Sequence, residues 1–347
     1  MKHAQNHTGC ALSALILAAG LAACAPVIAP SGPGPATPRL ADTSFLTSDG
    51  LELAVRRWLP AGLGDVSPPR AVVLAVHGFN DYSKAFDKVP GSPGVGPYLA
   101  ARGIAVYAYD QRGFGASPHF GMWPGRKVMV RDFVDFVAVL KGLYPDTPLY
   151  GLGESMGGAV MMAALARPEP PPLTGAVLAA PAVWARSTMP LAYRGALWLT
   201  THFAPGWKPT GQSLGRMASD NLEMLRDNTR DPLFIKKTRI DAVNGLSDLM
   251  DEALAASPLI KLPVLYLYGR NDQIIPKAPT RQALAALTAA GASTRPAYYA
   301  GGWHMILRGK ESGLVLEDVA AYLSNPAAPL PSGADVDAVA RLEAAKD

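Results

Sequence analysis

Five short runs along the chain are almost wholly apolar: 71–76, 104–109, 149–152, 175–180 and 264–268. A strand with one wet face alternates apolar and polar side chains, so unbroken runs predict strands buried on both faces. Between them the period changes. In 128–143 the residues Val130, Phe133, Val134, Val137 and Leu140 fall at helical spacing, and 159–166 is a compact helix former. Strand and helix in alternation predict an α/β fold, with a mostly parallel central sheet, right-handed crossovers and helices on both faces. The start of the body differs. There Ser48-Asp49-Gly50 separates 44–47 from the alternating Leu51, Leu53 and Val55, which is the pattern of a hairpin.

From 182 to 262 the rhythm breaks. Several helices and no convincing strand are expected there, between two sheet strands, so the stretch reads as a helical cap inserted over the strand ends. Leu191, Leu197, Trp198, Leu199 and Phe203 lie in one cap segment, and most of them are expected to pack inside it. After 325 comes a tail rich in Ala and Pro, briefly helical from 336 to 345, to which no function is assigned. No internal repeat is visible. A chain of 347 residues, 49% of them hydrophobic, can bury one large core and carry such an insertion, so a single domain is expected over 41–325.

The first residues follow a different logic. Lys2 and His3 open a polar stretch, 11–23 is almost wholly apolar, and small residues precede Cys24. That is the layout of a secretory signal, and it is too short to cross a bilayer, which takes about 20 residues. Leu21-Ala22-Ala23-Cys24 resembles the bacterial lipobox. The resemblance implies a signal peptide over 1–23 and lipidation of Cys24, with acyl chains holding the protein on a membrane surface. Ala25 in place of Asp favours the outer membrane of a bacterial envelope. An ordinary secretory signal cut near Ala25 is the alternative. The segment 24–40 carries Pro26, Pro30, Pro33, Pro35 and Pro38 and reads as an extended tether. At about 3.1 Å per residue it would reach roughly 50 Å, unless it packs back on the body. Cys10 and Cys24 are the only cysteines, so the body holds neither a disulfide nor a thiolate metal site. A net charge of +4 without a basic cluster argues against a nucleic-acid partner.

Gly153-Glu154-Ser155-Met156-Gly157 follows a predicted strand and opens a predicted helix, the context of a nucleophile elbow. A serine hydroxyl needs a base to become a nucleophile, and histidine is the natural one. His3 and His7 belong to the signal, His77 ends a strand before the serine, His119 lies in a Gly- and Pro-rich loop, and His202 lies in the cap. His304 remains, in Gly301-Gly302-Trp303-His304-Met305. An acid must then orient the imidazole. Asp272, on a turn just past an apolar run, completes the order Ser, Asp, His; Asp110 precedes the serine and is assigned to its own loop. His77-Gly78-Phe79-Asn80 directly follows a strand, where backbone donors for an oxyanion belong, so the amides of Phe79 and Met156 are the expected oxyanion hole. The glycines of 110–117 lack the lysine and spacing of a phosphate loop.

Together, His77-Gly78-Phe79, Asp110-Gln111-Arg112-Gly113-Phe114-Gly115-Ala116-Ser117, Gly153-Glu154-Ser155-Met156-Gly157-Gly158, the Asp272 turn and the His304 loop resemble the monoglyceride lipase and lysophospholipase group of α/β-hydrolases, which borders on the serine aminopeptidases. The resemblance spans roughly 41–325. It implies the α/β-hydrolase fold, hydrolysis of carboxylic esters with a long acyl chain, such as monoacylglycerols or lysophospholipids, an acyl-enzyme on Ser155, and no cofactor or metal. Two alternatives stay open: an aminopeptidase-like serine hydrolase, and a non-catalytic envelope lipoprotein on a hydrolase fold.

Overall fold

The computed structural model describes residues 25–62, 68–210 and 215–345. Nine strands form one sheet: β1 (Arg39–Leu40), β2 (Ser44–Leu46), β3 (Glu52–Trp58), β4 (Ala71–Val76), β5 (Ile104–Tyr109), β6 (Leu149–Glu154), β7 (Gly175–Ala179), β8 (Val264–Gly269) and β9 (Thr294–Tyr299). Their order is β1-β2-β3-β5-β4-β6-β7-β8-β9. The first three pair antiparallel, as does β3 with β5, and every later pair is parallel. The five apolar runs are β4 to β8.

Their lack of alternation has a direct cause. In β4, Val72, Leu74 and Val76 enter one hydrophobic cluster while Ala71, Val73 and Ala75 enter another on the opposite face. The first cluster is completed by α2 (Arg126–Leu143), α3 (Met156–Leu165), α6 (Ile240–Ala256) and α7 (Lys277–Ala289); the second by α1 (Val95–Ala100) and α8 (Ser312–Ser324). From β4 the chain crosses to β5 on one side and returns to β6 on the other. This reversal opens a crevice beyond the carboxyl ends of β4 and β6, where α/β sheets bind ligands.

Three expectations are corrected. The segment 24–40 is not a free tether from Val27 onward. Proline spacing leaves the amides of Gly32, Gly34 and Ala36 free, and they donate to Asp49 Oδ2 (2.9 Å), Asp49 O (3.0 Å) and Ser48 O (2.9 Å). The cap is narrower than 182–262, because α6 packs on α3 and its Leu249, Met250 and Ala253 lie in the main core. What remains of the cap is α4 (Leu191–Phe203), α5 (Leu222–Arg230) and their loops. Within α4, Leu191, Trp198, Leu199 and Phe203 are 78%, 59%, 53% and 68% exposed rather than packed inside the cap.

One further strand, β9, lies outside the apolar runs read from the sequence, because Thr294-Arg295-Pro296 interrupts its pattern. Proline is tolerated there because β9 is an edge strand. The tail closes that edge: Tyr298 N donates to Ala334 O (2.9 Å), and Ala338 and Leu342 of α9 (Ala338–Ala344) are buried against the core.

Candidate active site

Ser155 stands between β6 and α3 with φ 51° and ψ −115°, a conformation that costs an L-residue about 1–3 kcal/mol and survives only where its surroundings enforce it. Here they do. Ser155 N donates to Ala179 O (3.0 Å), and its carbonyl accepts from Ala182 N (2.9 Å) and Ala159 N (3.1 Å). A Cβ on Gly153 would lie 2.6 Å from Gly158 Cα, and one on Gly157 would lie 2.0 Å from Val76 O, so strand and helix meet only because neither position carries a side chain. Gly157→Ala is therefore expected to destabilise the fold by about 1–3 kcal/mol. An unchanged denaturant midpoint would show that α3 can lift from β4 at no cost.

His304 and Asp272 converge on this serine from two other loops. His304 Nε2 is 3.0 Å from Ser155 Oγ, and His304 Nδ1 is 2.9 Å from Asp272 Oδ2. Since a carboxylate only accepts, Nδ1 carries the proton and Nε2 is left free to accept from the serine hydroxyl. The other carboxylate oxygen, Asp272 Oδ1, accepts from Ile274 N (2.7 Å) and Ile275 N (2.9 Å), which fixes the group's orientation. Burial works against protonation of His304, but Asp272 and, more weakly, Glu154 outweigh it and hold the imidazole above its ordinary value of 6.5.

The loop after β4 passes directly over the elbow, with an ideal Gly78 Cβ only 3.4 Å from Ser155 Cβ. Met156 opens α3, so its amide has no acceptor within the helix. Phe79 is fixed by edge contacts with Phe114 (5.8 Å) and Trp123 (6.3 Å). His77 serves this loop: Nδ1 donates to Gly78 O (2.8 Å) and Nε2 accepts from Gln111 N (2.9 Å), so neither nitrogen is available to a substrate. Asp110 accepts from Ser83 N (2.8 Å) and Ala116 N (2.8 Å), consistent with a role in its own loop. His202 lies on the exposed cap helix, its Nδ1 2.7 Å from Trp198 O. Cys24 lies outside the described residues.

Ser155, His304, Asp272, Phe79 and Met156 are thus brought to one sheet edge. Sequence reasoning passed over Asp81 and Arg308, charged residues buried below that edge. Nothing in their spacing marks them, since each meets its partners only through the fold.

A mostly parallel sheet with a serine strained between strand and helix, an aspartate after β8 and a histidine after β9 defines an α/β-hydrolase. Residues 67–311 match the family model Hydrolase_4, described as serine aminopeptidase, S33, and the chain belongs to that family. It is 28% identical to the monoacylglycerol lipase of Mycolicibacterium smegmatis, over 81% of this chain and 95% of the relative. It is 30% identical to the monoglyceride lipase of Homo sapiens, over 66% of this chain and 73% of the relative. Among solved structures, a monoacylglycerol lipase from Paleococcus ferrophilus superposes with a TM-score of 0.61 at 21% identity, covering 79% of this chain and 99% of that one, which is a likeness of fold.

Proposed function

We propose that the protein is a serine hydrolase that cleaves carboxylic esters of lipid-like substrates, of the monoacylglycerol or lysophospholipid type, through an acyl-enzyme on Ser155. One observation carries the reading: His304 bridges the Ser155 hydroxyl and the Asp272 carboxylate at hydrogen-bond distance on both sides. As Ser155 Oγ bonds to the ester carbon, His304 takes its proton. The amides of Phe79 and Met156 stabilise the oxyanion, and loss of such a donor costs about a hundredfold to a thousandfold in rate. His304 then protonates the departing alcohol, and a water that it deprotonates releases the fatty acid.

The lipid-like substrate is supported by the names of the curated relatives and by the solvent-facing apolar side chains of α4. We also propose that Cys24 is lipidated in a bacterial envelope, probed by radiolabelled palmitate uptake in the parent and in Cys24→Ala. The chain beyond it is pinned close to the cap. Val27 N donates to Asp241 Oδ2 (3.1 Å), Asp241 N to Pro205 O (3.0 Å) and Ile240 N to Trp207 O (3.0 Å), so the chain at Val27 is tied to the segment that follows α4.

Rates over a series of p-nitrophenyl esters and monoacylglycerols, run beside aminoacyl amides, test the reaction. Release from amides with none from esters would replace this reading with a peptidase. Substituting both Trp198 and Phe203 by Ser is expected to lower hydrolysis of vesicle-borne monoacylglycerol about tenfold or more, by removing about 1.5–3 kcal/mol of burial per side chain. A soluble short-chain ester should be cleaved as before. Equal losses on both substrates would assign these side chains to the cap's integrity instead.

A further inference from the structure

Beneath the triad lies a cluster of three charges that the mechanism above does not use. Arg308 Nη2 donates to Asp81 Oδ2 (2.5 Å) and to Glu154 Oε2 (3.0 Å), and all three side chains are at most 5% exposed. Their positions along the chain give the cluster its meaning. Glu154 is the residue before Ser155. Asp81 closes the turn over Gly78 and Phe79, its amide donating to Gly78 O (3.3 Å). Arg308 ends the turn that begins at Met305, directly after His304, with Arg308 N donating to Met305 O (3.0 Å). One guanidinium therefore ties together the elbow, the oxyanion loop and the histidine loop, which follow β6, β4 and β9.

As a source of stability this is a poor arrangement. Three charges are withdrawn from water, and Arg308 Nε and Glu154 Oε1 are left without a partner among the described residues. Burying ions costs more than their pairing regularly returns, and apolar replacements of such clusters are often neutral or stabilising. A fork that fixes the relative placement of three loops does have a use where the reacting groups must meet within a fraction of an ångström.

We propose that Arg308 and Glu154 are positioning residues for the hydrolysis, Arg308 by clamping the three loops and Glu154 by anchoring that clamp to the elbow beside Ser155. The proposal rests on the assignment of Ser155, His304 and Asp272 given above. The charged groups that act on His304 are Asp272 from the turn after β8, which it contacts directly, Glu154 from the end of β6 and Arg308 from its own loop. Asp81 faces Arg308 from the loop after β4. The two carboxylates favour the imidazolium, and Arg308 opposes it. A base works only when unprotonated, so activity falls as pH drops through the His304 titration; burial raises the Glu154 carboxyl and Arg308 opposes that rise, and loss of the ionised carboxylate moves that limb to lower pH.

The test uses the full chain and two conservative variants. Glu154→Gln keeps the shape and is expected to shift the acidic limb of kcat/KM to lower pH with KM for a p-nitrophenyl ester unchanged. Arg308→Lys keeps the charge but loses the fork; kcat per fluorophosphonate-titrated site should fall about tenfold to a hundredfold while KM holds. A merely structural role would reduce the fraction of titratable sites and leave the rate per site intact. An unmoved limb in Glu154→Gln, or an unchanged rate per site in Arg308→Lys, overturns the proposal. If Arg308→Lys does not fold, the limb of Glu154→Gln decides alone. Failure of the underlying triad looks different, because turnover would then persist in Ser155→Ala.

Discussion

Ser155→Ala is expected to lower turnover of any ester substrate by about a millionfold and to abolish labelling by a fluorophosphonate probe, with the fold unchanged. The expected stability follows from the backbone. The strain at φ 51° arises from a Cβ in a region that L-residues avoid, and alanine has the same Cβ, so it neither adds to the strain nor relieves it. The denaturant midpoint should therefore stay where it is. Ser155→Gly provides the control: it should be as inactive as the alanine variant yet more stable by about 1 kcal/mol, because glycine adopts this conformation freely. Together the two variants separate chemistry from folding. Labelling that persists in Ser155→Ala would move the nucleophile elsewhere.

The sheet and the proposed site were legible for the same physical reason. Strands buried on both faces have no polar alternation, so β4 to β8 stand out as apolar runs, and the Gly153 and Gly157 contacts that let α3 press on β4 leave a visible pair of glycines around Ser155. Legibility ended where partners are distant in sequence or where two effects compete. β9 is absent from the apolar runs because Thr294, Arg295 and Pro296 break its pattern, and only its edge position makes the proline admissible. The prolines of 24–40 suggest a free spacer, yet the amides between them find acceptors in the turn at Ser48 and Asp49. Position 308 looks like an ordinary cation, and its burial against Asp81 and Glu154 arises only when loops from three parts of the chain close together. The cap was misjudged in a different way. Its aromatic and aliphatic side chains were expected inside, since water normally drives them there, yet Leu191, Trp198, Leu199 and Phe203 on α4 face solvent.

The second large effect is expected from Asp272→Asn, with a fall in kcat/KM of about ten-thousandfold in a protein that still folds. The variant is isosteric, so the argument turns on where its two different atoms must go. Asp272 Oδ1 accepts from two backbone amides, Ile274 N and Ile275 N, and only the carbonyl oxygen of asparagine can take that place. The amide nitrogen is then forced to the position of Oδ2, 2.9 Å from His304 Nδ1, where it donates rather than accepts. To receive that hydrogen bond Nδ1 must give up its proton, which puts the imidazole proton on Nε2, facing Ser155. A histidine in that tautomer cannot accept the serine hydroxyl proton, although every atom is nearly where it was. The alternative, with the amide flipped, would set an NH2 group against two N–H donors and is disfavoured by the loss of both bonds. Removal of the carboxylate also withdraws the largest influence favouring the imidazolium, so whatever activity survives should have its acidic limb at lower pH than the parent. The measurement is kcat/KM across pH for a p-nitrophenyl ester, beside a thermal melt. A variant that folds normally and keeps turnover within tenfold of the parent would show that another group orients the histidine.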